Sequence, residues 1–277
     1  MDQIHPGIYV ENGFSGVTVG AVVGEAGVTS VDVPTLPEDA TKWQRKLEQL
    51  NNRPILHIVN TDHHRDRVLC NKLLQVPVIS HQETRQLIRG YPDLWRTAKR
   101  QDGRTPQSTP VTVGARSSLP EVTFTTKMLL GCGEVDMHLL HCPGSAPGAT
   151  WVWVPEAKVI FTGDSVFQDT HPFLSSAQLD DWLDSLTHLR GAKFRDHIIV
   201  PGRSGPTDQD GLQFSLDYLR YLRRRLNAWR EQGVPTKDAS RLSGALLERF
   251  PVPDDSKDQM EKRLQAGLQH VFETLRT

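Results

Sequence analysis

The stretch Asn60-Thr61-Asp62-His63-His64-Arg65-Asp66-Arg67 sets two carboxylates beside two imidazoles. Asp62, His63, His64 and Asp66 could each bind a cation or move a proton. The stretch follows Ile55-Leu56-His57-Ile58-Val59, an apolar run that reads as a buried strand. A strand that carries such groups on its C-terminal tip has the look of an α/β active site. Arg65 and Arg67 do not fit a metal cage, because guanidinium has no lone pair to offer. Three further loops carry reactive groups, each after an apolar strand: His141-Cys142-Pro143-Gly144-Ser145, Phe161-Thr162-Gly163-Asp164-Ser165 and Pro201-Gly202-Arg203-Ser204-Gly205.

The elements that must position these loops follow from periodicity. Residues 7–33 alternate β-branched segments with glycine and read as a strand meander. Trp43, Leu47 and Leu50 lie at helical spacing, so a helix runs from Pro37 to about Asn51. Residues 68–75 read as a helix just after the cluster, and Val76–Ile79 as a short strand. Further strands are expected at Val122–Thr125, Met128–Leu130, Val135–Leu140, Thr150–Val154, Val159–Thr162 and His197–Val200, with a helix at 177–190. Beyond residue 209 two apolar stripes mark helices: Leu212, Leu216, Leu219, Leu222, Leu226 and Trp229, then Met260, Leu264, Leu268, Val271 and Leu275. The expectation is an α/β layered sandwich over residues 1–209 with one core per β-rich half, and a helical extension over 210–277 packed on it.

At 277 residues the chain can bury a large core. A net charge of -1 argues against nucleic acid or a membrane surface as the main partner. No apolar run is long enough to span a bilayer, and Met1–Pro6 lacks the features of a signal peptide. Three cysteines without metal-type spacing (Cys70, Cys132 and Cys142) suggest a reduced, cytoplasmic protein. The Lys/Arg-rich run from Arg85 to Arg104 reads either as a basic lid over the cluster or as a solvated helix and loop, the second being favoured because charge runs usually face water. The arginines at 220, 223, 224 and 225 read the same way, as a solvated face rather than an RNA or phosphate contact.

NTDHHRDR, HCPGSAPG, FTGDS and VPGRSG, in this order, resemble the metallo-β-lactamase superfamily over roughly residues 6–205. Ser30-Val31-Asp32-Val33-Pro34 resembles that family's second-strand signature. The resemblance implies a four-layer αββα sandwich and a two-metal site. It also implies where the ligands would stand. In the His-x-His-x-Asp-His motif Asp62 takes the first histidine's place and Arg67 the last one's, while His64 and Asp66 are kept. Ser145 and Arg203 stand where two Pro-Gly-His loops end in histidine, and the bridging carboxylate is kept as Asp164. Four of five histidine ligands are therefore replaced.

Arg67 and Arg203 would repel a cation, so the second metal position is lost on this reading. Together they carry the charge of the ion they displace, and are expected to pair with Asp66 and Asp164. The leading expectation is a protein without the dinuclear zinc site and with no metal cofactor. It would be a ligand-binding protein or a metal-independent enzyme for a small, anionic molecule. Asp62, His64 and Asp66 are its candidate catalytic groups. Arg67, Arg203, Ser145 and His171 would bind the ligand. The alternative is a hydrolase with a single divalent metal on Asp62, His64 and Asp164. Such a carboxylate-rich set admits zinc but favours manganese, iron or magnesium. A third reading has the C-terminal helices form a homodimer, and is compatible with either. His63 is expected to point away from the cluster, and His141 to be structural.

Overall fold

Alternation of apolar side chains builds the layers. The computed structural model describes residues 1–50, 52–91 and 118–276. One sheet runs in sequence order through β1 (Asp2–His5), β2 (Ile8–Glu11), β3 (Val19–Val23), β4 (Val28–Val31), β5 (Ile55–Val59), β6 (Val78–His81) and β7 (Val122–Phe124). Its first four strands are antiparallel, and β4 to β7 are parallel. The second sheet has the order β12-β11-β10-β9-β8, with β8 at Lys127–Cys132, β9 at Val135–His141, β10 at Thr150–Val154, β11 at Val159–Gly163 and β12 at Ile198–Pro201. Only its β11–β12 pair is parallel.

Successive residues in a strand face opposite ways. In β3, Val22 enters a core between the sheets while Val19, Ala21 and Val23 face α1 (Pro37–Glu48), where Trp43 and Leu47 are fully buried. In β11, Phe161 enters the core between the sheets and Ile160 faces the helices beyond. Those helices are α4 (Leu179–Leu189), α5 (Gln209–Glu231), α6 (Leu242–Arg249) and α7 (Asp254–Thr274). The short helices α2 (Arg65–Val68) and α3 (Gln82–Arg89) follow β5 and β6. The result is the expected four-layer α/β sandwich. Gly20 allows the two sheets to meet: a Cβ there would lie 2.2 Å from the Phe161 ring.

Several details differ from the sequence reading. An extra strand, β1, pairs with β2 across the Pro6-Gly7 turn. The helix expected over 68–75 is divided into α2 and a 3-10 turn at Asn71–Leu74, with Gln75 closing it in the left-handed region. The cores are not one per half, because Val59 and Ile79 of one sheet share a cluster with Leu139 and Val152 of the other. Strand alternation gives each sheet two apolar faces, so one face of each meets its partner. Both C-terminal stripes are spent inside the chain, where Leu216 and Leu264 join the core of Trp182 and Ile199. Arg85 and Arg89 are exposed on α3, while the rest of the proposed basic lid falls within 92–117, outside the described residues.

Candidate functional site

Strands β4, β5, β11 and β12 deliver their C-terminal ends to one edge of the sandwich, and the reactive groups come from the turns just beyond. Asp32 follows β4, Asp62 and His64 follow β5, Asp164 follows β11 and Arg203 follows β12. Two glycines let these turns approach. Gly163 adopts a left-handed φ of 55°, with Thr61 against it. A Cβ on Gly202 would lie 2.8 Å from Arg67 Nη1 and 3.0 Å from Asp164 Oδ1.

At the centre is Arg67, whose side chain is fully buried. Its Nη2 donates to Asp164 Oδ1 at 2.5 Å, and its Nη1 donates to Thr61 Oγ1 at 2.8 Å and Asp32 Oδ2 at 3.2 Å. Its Nε lies 3.3 Å from Asp62 Oδ1 and 3.8 Å from Asp66 Oδ1. Arg203 closes the outer side, with Nη2 2.9 Å from Asp164 Oδ2 and Nη1 2.5 Å from Asp66 Oδ2. Asp164 therefore has one guanidinium on each oxygen. Burial opposes its ionisation, but Arg203 and Arg67 reverse that and hold the carboxyl down at about 2. Asp62 behaves likewise: burial raises it, and Arg67 with His64 brings it well below the ordinary value.

His64 Nδ1 lies 3.1 Å from Asp62 Oδ1 and 3.6 Å from Asp164 Oδ2. Burial works against the imidazolium, yet Asp62, Asp164 and Asp66 outweigh it and raise the pKa. Asp62 Oδ2 and His64 Nε2 are buried with no hydrogen-bond partner among the described residues. One donor atom each from Asp62, His64 and Asp164 lies within 4.8 Å of the others, a group that could hold a cation.

The other expected residues take varied places. Asp66 is half-buried on α2 and bridges to Arg203. Ser145 is buried, its Oγ 3.3 Å from Ser165 Oγ. His171 is buried against Tyr218, Nδ1 to hydroxyl 2.7 Å, and lines a narrow cleft with room for only about 10 Å³, together with Asp164, Val166, Phe167, Phe173 and Arg203. His63 does not point away. Asp62 Oδ1 accepts the His64 amide at 2.7 Å, curling the chain, and the His63 ring stacks on His64 at 4.9 Å. His141 stacks on His81 at 3.8 Å, apart from the cluster, with Nε2 2.8 Å from the Pro147 carbonyl.

Three residues were not anticipated here. Asp32, noted only as part of a strand signature, accepts from Thr61 N and Oγ1 as well as Arg67. Phe173 packs 5.3 Å from His64 and under the Arg203 guanidinium at 4.4 Å. Arg263 of α7 lies 4.0 Å from the same ring. Only Asp32 had a signal in the sequence, its position at the end of an apolar strand.

A sequence profile described as the metallo-beta-lactamase superfamily matches residues 13–203. The chain belongs to that superfamily. Among solved structures it resembles a metallo-beta-lactamase family protein from Thermus thermophilus, with a TM-score of 0.69, 19% identity, and 98% of this chain and 93% of the other covered. It also resembles a stereoselective inverting sec-alkylsulfatase from Pseudomonas sp., with a TM-score of 0.70 at 14% identity; 98% of this chain is covered but 49% of that one. A metallo-beta-lactamase from Pontibacter korlensis gives a TM-score of 0.60 at 18% identity, covering 77% and 99%. At these identities the likeness carries the fold.

Proposed function

We propose that this protein binds, and through Asp62, His64 and Asp66 acts on, a small anionic molecule without a dinuclear metal centre. The observation that carries the reading is the double pairing of Asp164 with Arg67 and Arg203. Each oxygen of Asp164 meets a guanidinium, so neither is left free of positive charge to bridge two metals. Two guanidiniums supply fixed positive charge to carboxylates that burial would otherwise leave exposed to each other. Arg203, Ser145 and His171 are assigned to the ligand side, and Arg67 to holding the site together. His64, whose pKa its carboxylate neighbours raise, would serve as a general acid toward an ester or phosphoester. The buried free thiols Cys70, Cys132 and Cys142 are in keeping with a cytoplasmic location. Among the described residues, no helix is long and apolar enough to cross a membrane.

A second reading rests on a specific observation, the unpartnered Asp62 Oδ2 and His64 Nε2. With Asp164 these would place a single divalent ion in the first position, where it would supply Lewis-acid chemistry. Against it, Asp164 Oδ2 already meets Arg203, and any ion there would sit beside that guanidinium. Elemental analysis of protein dialysed without chelator decides between them. Metal well below one equivalent is expected. Near-stoichiometric metal that disappears in His64→Ala would sink the metal-independent reading and promote the second.

A further inference from the structure

The C-terminal helix α7 presents one face to the loop that carries Phe173. Met260 Sδ accepts from Thr170 Oγ1 at 3.5 Å, and Arg263 Nη1 donates to the His171 carbonyl at 2.9 Å. Gly267 packs so closely that a Cβ would lie 2.5 Å from the Leu174 carbonyl carbon. Residues 260, 263 and 267 share a helix face by their spacing. Phe173 thereby sits with Arg263 on its ring at 4.0 Å, Arg203 at 4.4 Å and His64 nearby at 5.3 Å.

Arg263 differs from the other two arginines. Arg67 and Arg203 each meet carboxylates, whereas among the described residues Arg263 forms no ion pair. It is half-buried, and burial and Arg203 oppose its charge more than the nearby carboxylates of Asp164 and Asp66 favour it. A desolvated guanidinium with a carbonyl and an aromatic face for partners still has donors to spare. A ligand anion would complete it. Phe173 and Arg203 also line a narrow cleft with Asp164, Val166, Phe167 and Pro172.

We infer that Arg263 and Arg203, set on the shared ring of Phe173, form an oxyanion-binding site for a small molecule that bears a phosphate, sulfate or carboxylate group. The C-terminal helix is thus part of the ligand site. The guanidinium fork of Arg263 meets oxyanion geometry in two-point fashion, which a lysine would not reproduce. This rests on the reading that the site takes an anionic ligand and names the group that recognises it.

The test is calorimetric titration of the full chain with sodium phosphate, sulfate and acetate, with metal content measured on the same samples. Saturable binding is expected, weakened at least tenfold in Arg263→Gln, less in Arg263→Lys, and unchanged in Arg224→Gln on the exposed face of α5. The anion that binds most tightly identifies the source of the oxyanion. Absence of saturable binding by all three anions overturns the proposal. So does equal affinity in wild type and Arg263→Gln, or equal weakening in Arg224→Gln, which would indicate diffuse surface charge. If Arg263→Gln does not fold, Arg263→Lys decides, wild-type affinity there counting against the site. A protein that carries stoichiometric metal yet binds phosphate through Arg263 overturns the metal-independent reading and leaves this one standing.

Discussion

Arg67 Nη2 donates to Asp164 Oδ1 at 2.5 Å, joining the turn after β5 in one sheet to the turn after β11 in the other. The guanidinium is completely buried and also meets Asp32 and Asp62. Removing one partner of such a network leaves uncompensated buried charge, which costs about 3–5 kcal/mol. Arg67→Met is therefore expected to lower stability by that order, read as a drop in the urea midpoint at unchanged m. A midpoint within error of wild type would show that the carboxylates need no counter-charge.

Arg203 makes the outer pair and is less deeply enclosed, so its loss should cost less, about 2–3 kcal/mol for a charge-assisted hydrogen bond to Asp164 and an ion pair with Asp66. Arg203→Ala should melt earlier than wild type by several degrees, while EDTA leaves both melting curves where they were. A chelator that destabilises the wild-type protein would contradict the charge-substitution account.

Gly202 is tested by adding one methyl group. In Gly202→Ala the Cβ would stand 2.9 Å from the Gly163 carbonyl carbon, as well as against Arg67 and Asp164. Backbone cannot give way as a flexible side chain would, so overpacking should cost about 1–3 kcal/mol. Anion affinity should fall as Arg67 and Asp164 are pushed apart. Wild-type stability and binding in this variant would mean that the turns tolerate more separation than their geometry implies.

Acid sensitivity follows from His171. Burial, with Arg263 adding to it, pushes this imidazole down to about 4. The folded value lies below the unfolded one of about 6.5, so the unfolded chain takes the proton first as pH falls. The stability His171 contributes is complete above about pH 6.5 and is lost toward pH 4, at about 1.4 kcal/mol per unit. Between pH 6.5 and 5, His171→Gln should lose about 2 kcal/mol less than wild type. Equal losses in denaturant titrations at the two pH values would remove His171 as the acid-sensitive group.

Much of the site could be read from the chain because strand tips announce themselves. Apolar runs ending in Asp62-His63-His64, Gly163-Asp164 and Gly202-Arg203 located three of the converging turns. The expected pairing of Arg203 with Asp66 and Asp164 is present, but Arg67 prefers Asp164, Asp62 and Asp32 to Asp66. Which carboxylate an arginine reaches depends on how two sheets dock, and no local pattern encodes that. His63 was misread because a two-residue alternation assumes an extended chain, and the Asp62 side chain bends it. Arg263 gave no signal at all. On its helix it lies beside an apolar stripe, and its proximity to Phe173 exists only in three dimensions.

The bond between Arg67 and Asp164 spans 97 residues of chain. Contacts of such long range form only after a large loop has closed, which makes them slow to establish. The binding edge is thus completed at the moment the two halves dock, and a chain released with only its first sheet folded would hold Arg67 against Asp32 and Asp62 but without its bond to Asp164. Timing, as much as geometry, is written into that pair.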